Sequence, residues 1–222
     1  LLSQLKNFLS FIEVKRCRQK QIPPNSLLFP IIWITNKCNL RCPVCATSQY
    51  MKRKRGEMSV ELFKHLIDQI DWKVKMINFG YSGEPLLNRN IFSMIKIARL
   101  NGIRSGFETN GTFVEEYAED IVESKTHYIS ISLDGSSQES LVKYRIGSDF
   151  DKLIRGIEKL CGYKKASGST EPVISIQFLA MKHNEEDLKF IKDLASRLSV
   201  NRLVLKSFNA DGYFLSNGPG DP

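Results

Sequence analysis

The chain has 222 residues, 42% of them hydrophobic and 25% charged, with a net charge of +8 and a pI of about 9.2. That is ordinary globular material, long enough for one core or one α/β barrel, and no apolar run reaches the roughly 20 residues that a bilayer span requires. Five cysteines, three of them crowded between Cys38 and Cys45, exclude a secreted disulfide framework and place the expected home in a reducing cytoplasm; no secretory signal with a cleavage site is visible.

In chain order, Leu1 to about Lys20 reads as an amphipathic helix, with Leu5, Phe8, Leu9 and Ile12 at helical spacing. It is expected to close the bottom of a barrel. Cys17 on this helix and Cys161 further on read as small buried hydrophobes. Pro23, Pro24 and Pro30 then break the pattern and lead into an extended segment. From Ile31 onward, short strand patterns alternate with helical ones, the signature of βα units around a parallel sheet. Six strands are expected: Ile31 to Thr35, Lys75 to Gly80, Arg104 to Thr109, Tyr128 to Leu133, Val173 to Ala180 and Arg202 to Lys206. Helix starts are signalled by Ser59, by a capping box of Thr112 with Glu115, by Asp149 and by Asn184. Asn101 and Gly102 mark a helix end. The chain does not begin with Met, and it stops at Pro222 soon after a strand, so both ends read as cuts in a longer protein.

Period-two alternation puts Ser130, Ser132 and Asp134 on one face of the fourth strand and Ile129, Ile131 and Leu133 on the other. Ser175 and Gln177 repeat the pattern on the fifth. The apolar face must meet the helices, so the polar face points inward, and the expected fold is a partial (β/α)6 TIM-like barrel of parallel strands with outer helices and a polar lumen.

In parallel α/β folds the site lies at the carboxyl ends of the strands. The unusual motifs all fall there: Cys38-Asn39-Leu40-Arg41-Cys42-Pro43-Val44-Cys45 after the first strand, Ser82-Gly83-Glu84-Pro85 after the second, Thr109-Asn110-Gly111 after the third and Ser132-Leu133-Asp134-Gly135 after the fourth. Three thiolates on one loop suit an iron–sulfur cluster or zinc, and three rather than four leave a metal position open or borrow a distant ligand.

Together these motifs resemble the radical S-adenosylmethionine superfamily, and within it the catalytic domains of the branch that often carries a C-terminal SPASM extension. The resemblance covers roughly Phe29 to Phe208. It divides the chain into an N-terminal helix and linker (1–28), a core domain (29–208) and a tail that starts an extension (209–222). It implies a 4Fe-4S cluster ligated by Cys38, Cys42 and Cys45, with S-adenosylmethionine on the fourth iron. Glu84 and the backbone around Ser82 and Gly83 would receive the substrate ammonium. Ser132 and Asp134 would approach the ribose, Arg145 would clamp the methionine carboxylate, and Asn110 would line the mouth. Val44 stands where the family often has an aromatic residue against adenine, and Ser82 where it usually has a first glycine. SPASM cysteines are absent.

The implied reaction reduces the cluster by one electron, cleaves S-adenosylmethionine to methionine and a 5′-deoxyadenosyl radical, and abstracts hydrogen from a second substrate: a peptide, a sugar or polysaccharide, a cofactor precursor or an RNA. A one-electron reductant such as flavodoxin or ferredoxin is the implied partner. The runner-up is a structural zinc or iron–sulfur module that binds nucleic acid through the basic run Lys52-Arg53-Lys54-Arg55. The positive charge, concentrated there and between Lys15 and Lys20, otherwise describes two solvated surfaces or a mobile loop.

Overall fold

A computed structural model of the chain describes residues 29–49, 51–70, 74–80 and 82–207. The expected N-terminal helix, Cys17 and the C-terminal tail lie outside the described residues.

Six parallel strands form one sheet in the order in which they occur: β1 (Ile31–Ile32), β2 (Met76–Phe79), β3 (Arg104–Thr109), β4 (Tyr128–Ser132), β5 (Val173–Ala180) and β6 (Arg202–Ser207). Sequential order with every neighbour parallel requires a crossover between each pair. The crossovers carry α1 (Ala46–Gln49), α2 (Val60–Gln69), α3 (Ile91–Leu100), α4 (Val114–Glu123), α5 (Gln138–Val142), α6 (Phe150–Ala166) and α7 (Leu188–Arg197). The result is the partial barrel expected from the sequence.

The helices fold onto the sheet because their apolar residues recur at three- and four-residue spacing. Phe63 and Ile67 of α2, Ile91, Met94, Ile95 and Ala98 of α3, and Leu153, Ile157 and Leu160 of α6 all enter the core. From the sheet they meet Ile77, Phe79, Phe107, Ile129, Ile131, Ile174, Ile176 and Phe178. Phe63 and Phe79 place their ring centroids 5.5 Å apart. Ser59 and Asp149 cap α2 and α6 as expected, accepting from the amides of Leu62 and Lys152.

Three local expectations are corrected. The first ladder ends at Ile32, because Thr35 leaves the parallel sheet for an antiparallel bridge with Glu57, and Ile34 O accepts the Met58 amide at 2.8 Å. Thr112 and Glu115 form no capping box: α4 begins at Val114 without a side-chain cap, the Thr112 amide donates to Asn110 Oδ1, and Glu115 pairs with Arg155. Asn184 does open a helical segment, a 3-10 turn (Glu185–Asp187) that runs into α7, but its side chain turns back toward β4 and β5 instead of capping it: Nδ2 donates to Asp134 O and Leu179 O, and Oδ1 accepts from the Met181 amide.

Candidate active site

The carboxyl ends of β1 to β4 carry the motifs to one mouth. The Cys38–Cys45 loop contains no regular strand, so its position depends on what grips it. From one side comes a strap, residues 54–58: Thr35 Oγ1 donates to Gly56 O (3.0 Å), Asn36 exchanges hydrogen bonds with Lys54 O and the Gly56 amide, and Lys37 pairs with Glu57 at 2.9 Å. Arg55, the last member of the basic run, donates to Asn36 O and, at 2.7 Å, to Thr47 O, two carbonyls that flank the cysteine loop. Lys52, Arg53 and Lys54 remain exposed. The run is thus solvated surface except for the Arg55 guanidinium, which clasps the loop.

From a second side comes Ser82-Gly83-Glu84. The Glu84 amide donates to Lys37 O at 2.7 Å, the Gly83 amide donates to Thr47 Oγ1 at 3.1 Å, and the Thr47 and Ser82 hydroxyls share a 2.8 Å hydrogen bond. Gly83 has a φ of +82°, and a Cβ there would lie 2.6 Å from Thr35 O and 2.8 Å from Lys37 O, so only glycine brings the two loops this close. A third contact is the end of β3, where Asn110 Nδ2 donates to Asn39 Oδ1 (2.9 Å) and lies 3.8 Å from Cys38 Sγ. The fourth is the loop after α5: the Arg41 amide donates to Ile146 O at 3.0 Å.

Two buried carboxylates stand behind this mouth, and their surroundings differ. Asp134 is fully buried; one oxygen accepts from Arg145 Nε at 2.6 Å and the other from the Leu179 amide at 2.7 Å. Glu84, 1% exposed, accepts from Thr109 Oγ1 (2.7 Å), the Asn110 amide (2.7 Å) and the Leu86 amide (3.1 Å). Burial pushes its carboxyl up, while those three donors and the more distant Arg145 charge pull it down. No Lys, Arg or His among the described residues pairs with it.

The thiols answer to the same surroundings. Burial pushes Cys38 up to about 11, its bond from the Leu40 amide opposes this, and the charges of Glu84, Cys45 and Cys42 add to the rise. Burial also raises Cys42, against the pull of the Arg145 cation beside it. Such thiols hold their protons until a cation takes the place of those protons, as soft metal centres do. Among the described residues, no group of three His, Cys, Asp or Glu side chains is set closely enough to hold a single metal ion. An iron–sulfur cluster spreads its thiolates over separate irons, and three cysteines on one mouth fit that donor pattern.

Ser132 lies on the concave face of β4 with its hydroxyl free of protein partners among the described residues, and Val44 is half-buried beside Cys45. Cys161 packs half-buried on α6 against the core, where burial raises its thiol. The sequence reading missed Arg55, Thr47 and Asn88. Asn88, wholly buried, donates from Nδ2 to Ile34 O and Met58 O, both at 2.9 Å, and so ties the strap to the segment that follows β1. A basic residue within a charge run and single polar residues in short helices carry no signal in one sequence; only their partners reveal them.

The family model of the Radical SAM superfamily matches residues 32–200. The chain is 26% identical over 181 residues to a tungsten-containing aldehyde ferredoxin oxidoreductase cofactor-modifying protein of Pyrococcus furiosus, covering 78% of this chain and 49% of that protein. It is 28% identical over 193 residues to an Fe-coproporphyrin III synthase of Methanosarcina barkeri, covering 83% and 46%. The chain spans about half the length of these curated relatives. The crystal structure of Streptococcus suis SuiB bound to S-adenosylmethionine superposes with a TM-score of 0.72 over 90% of this chain and 45% of that one. At 16% identity that likeness bears on the fold alone. No helix among the described residues is long and apolar enough to cross a membrane.

Proposed function

The chain belongs to the Radical SAM superfamily, and from that premise we propose that its barrel mouth binds a 4Fe-4S cluster through Cys38, Cys42 and Cys45 and uses it on S-adenosylmethionine. When bound, the cluster supplies an electron that cleaves the sulfonium into methionine and a 5′-deoxyadenosyl radical, which takes hydrogen from a second substrate. The electron comes from a one-electron reductant of the flavodoxin or ferredoxin type.

The chain's own residues hold and orient. Cys38, Cys42 and Cys45 offer soft thiolates and leave one position for the cosubstrate. Glu84 receives the ammonium, a charge-assisted contact for a carboxylate otherwise served only by neutral donors. Ser82 and Gly83 fix the backbone beside it. Ser132 offers its free hydroxyl to the ribose, Val44 gives apolar contact to the adenine, and Asn110 lines the mouth beside Cys38. Both Asp134 oxygens are taken up within the protein, so Asp134 acts by holding Arg145 through Nε, and the guanidinium, which also stands beside Cys42, is turned to meet the methionine carboxylate.

The observation that carries this reading is the convergence of the three-cysteine loop, Asn110 and the cation-free buried Glu84 at one mouth. Anaerobic reconstitution with iron and sulfide, followed by dithionite and S-adenosylmethionine, should give a brown protein that releases 5′-deoxyadenosine. Cys42→Ala should lose both the chromophore and the product, whereas Cys161→Ala should keep both. A colourless zinc protein, or a full cluster without 5′-deoxyadenosine, would sink the proposal.

A further inference from the structure

Below the mouth, the concave face of the sheet carries polar groups that the cluster and S-adenosylmethionine do not use. Strand register aligns them: Glu108 of β3 lies beside Ser130 of β4, Ser130 beside Ser175 of β5, and Gln177 of β5 beside Ser132, the residue given to the ribose, which marks the upper border of this set. Between them Phe107, Ile129, Ile131, Ile174 and Ile176 point to the helices, so the polar set shares the inner face. Lys206 of β6, in register with Leu179, belongs to the same face. Its Nζ lies 3.7 Å from Glu108 Oε2. Three strand spacings of about 4.8 Å separate β3 from β6 along the sheet. The two long side chains therefore meet above a floor of short serines.

Two properties make this a ligand surface rather than a core. The hydroxyls of Ser130 and Ser175 and the carboxamide of Gln177 have no hydrogen-bond partner among the described residues, and inner polar groups require one from ligand or water. The Glu108 and Lys206 side chains are each about half exposed, 47% and 45%, so their bond is weak and a ligand bringing its own charges displaces it. A neutral polyol would satisfy the hydroxyls and leave the two charges to each other. A peptide segment with one cationic and one anionic side chain satisfies both charges, while its amides meet the serines and Gln177. Glu108 lies two residues before Asn110, so this surface begins about 7 Å below the thiol mouth.

We propose that the concave face is the second-substrate subsite and that it reads a peptide bearing neighbouring basic and acidic side chains, the cation held by Glu108 and the anion by Lys206. The assignment as a substrate subsite rests on the radical reading; the binding itself does not.

The probe is acetyl-Gly-Lys-Glu-Gly-amide, titrated by saturation-transfer NMR into the reconstituted protein beside versions with Gln for its Lys or for its Glu, and beside cellobiose. The charged peptide should bind at least tenfold more tightly than either neutralised version. In Glu108→Gln the dependence on the peptide's Lys should vanish, and in Lys206→Met the dependence on its Glu; circular dichroism confirms that both variants fold. Equal binding of charged and neutral peptides, undetectable binding at millimolar peptide, selectivity unchanged in both variants, or cellobiose binding as tightly would each overturn the inference. 5′-Deoxyadenosine release is measured on the same samples without peptide. Its presence with no charge-dependent binding defeats only this inference, and charge-dependent binding without it defeats only the radical reading.

Discussion

Replacing Gly83 by Ala tests the claim that two loops of the mouth touch through their backbones. The residue sits at a φ of +82°, and its new Cβ would lie 2.6 Å from Thr35 O and 2.8 Å from Lys37 O. The left-handed conformation costs an L-residue about 1–2 kcal/mol. Neither carbonyl can swing aside as a flexible side chain would: Thr35 is held in its bridge to Glu57, and Lys37 O accepts the Glu84 amide. Forcing an extra methyl into a filled space adds about 1–3 kcal/mol. The sum, about 2–5 kcal/mol, corresponds to a fall in melting temperature of roughly 4–20 °C for a chain of this size. Gly102→Ala provides the comparison, because Gly102 has a φ of +72° and nothing within 4 Å of its Cβ position. It should lose only the conformational part, about 1–2 kcal/mol. Thermal unfolding followed by circular dichroism measures both. Equal melting temperatures for the two variants would refute the close approach, and with it the coupling of the cysteine loop to Ser82-Gly83-Glu84.

Asp134→Asn leaves the Arg145 guanidinium, 16% exposed, without its anion, and a broken buried pair of this kind costs about 3–5 kcal/mol; urea unfolding should show it, and a loss below about 1 kcal/mol would mean that the pair is not sealed. At the opposite end of the barrel, Glu171 bonds His127 Nδ1 and Arg99 Nη1, each at 2.7 Å. Burial there works against ionisation, but those two donors outweigh it and hold the carboxyl below its usual value. A depressed carboxyl contributes stability that is present above its unfolded value of about 4.3 and is lost as pH falls through the lower folded value. Glu171→Gln should therefore flatten the fall in melting temperature between about pH 5 and pH 3; identical profiles for the two proteins would show that the triad contributes nothing.

Strand positions were legible wherever alternation or apolar continuity ran for five residues or more. The fifth strand matches its expected limits from Val173 to Ala180, and the fourth differs by one residue. The first was overextended because Trp33, Ile34 and Thr35 have strand-like composition, while what ends the ladder is a partner over twenty residues away at Glu57. Thr112 with Glu115 satisfies the capping-box pattern yet does not cap, since Asn110 Oδ1 takes the Thr112 amide first. In the site, the cysteines and Asn110 could be placed from spacing and strand ends. The division of labour between Glu84 and Asp134 could not, because two acidic residues at strand ends look alike until their donors are known. Arg55 was hidden for a related reason: four consecutive basic residues read as one solvated run, and only the fold separates the one whose guanidinium bonds the carbonyls of Asn36 and Thr47.

The contrast between the two buried carboxylates argues most directly for what enters the mouth. Asp134 has a guanidinium on one oxygen and an amide on the other, so its charge is already balanced. Glu84 is as deeply buried, yet two amides and a hydroxyl are its only close donors among the described residues, and Arg145, the cation whose charge reaches it, is committed to Asp134. Burying a carboxylate without a cation is costly, and its three hydrogen bonds offset only part of that. The loops around it are meanwhile fixed by Arg55, Thr47, Asn88 and Asn110, which leaves little ordering to be done when a ligand arrives. A site that is rigid and short of one positive charge favours a cationic ligand at Glu84. The ammonium of S-adenosylmethionine meets that requirement, and a neutral analogue lacking the amino group should bind more weakly by the loss of one charge-assisted hydrogen bond, roughly tenfold or more.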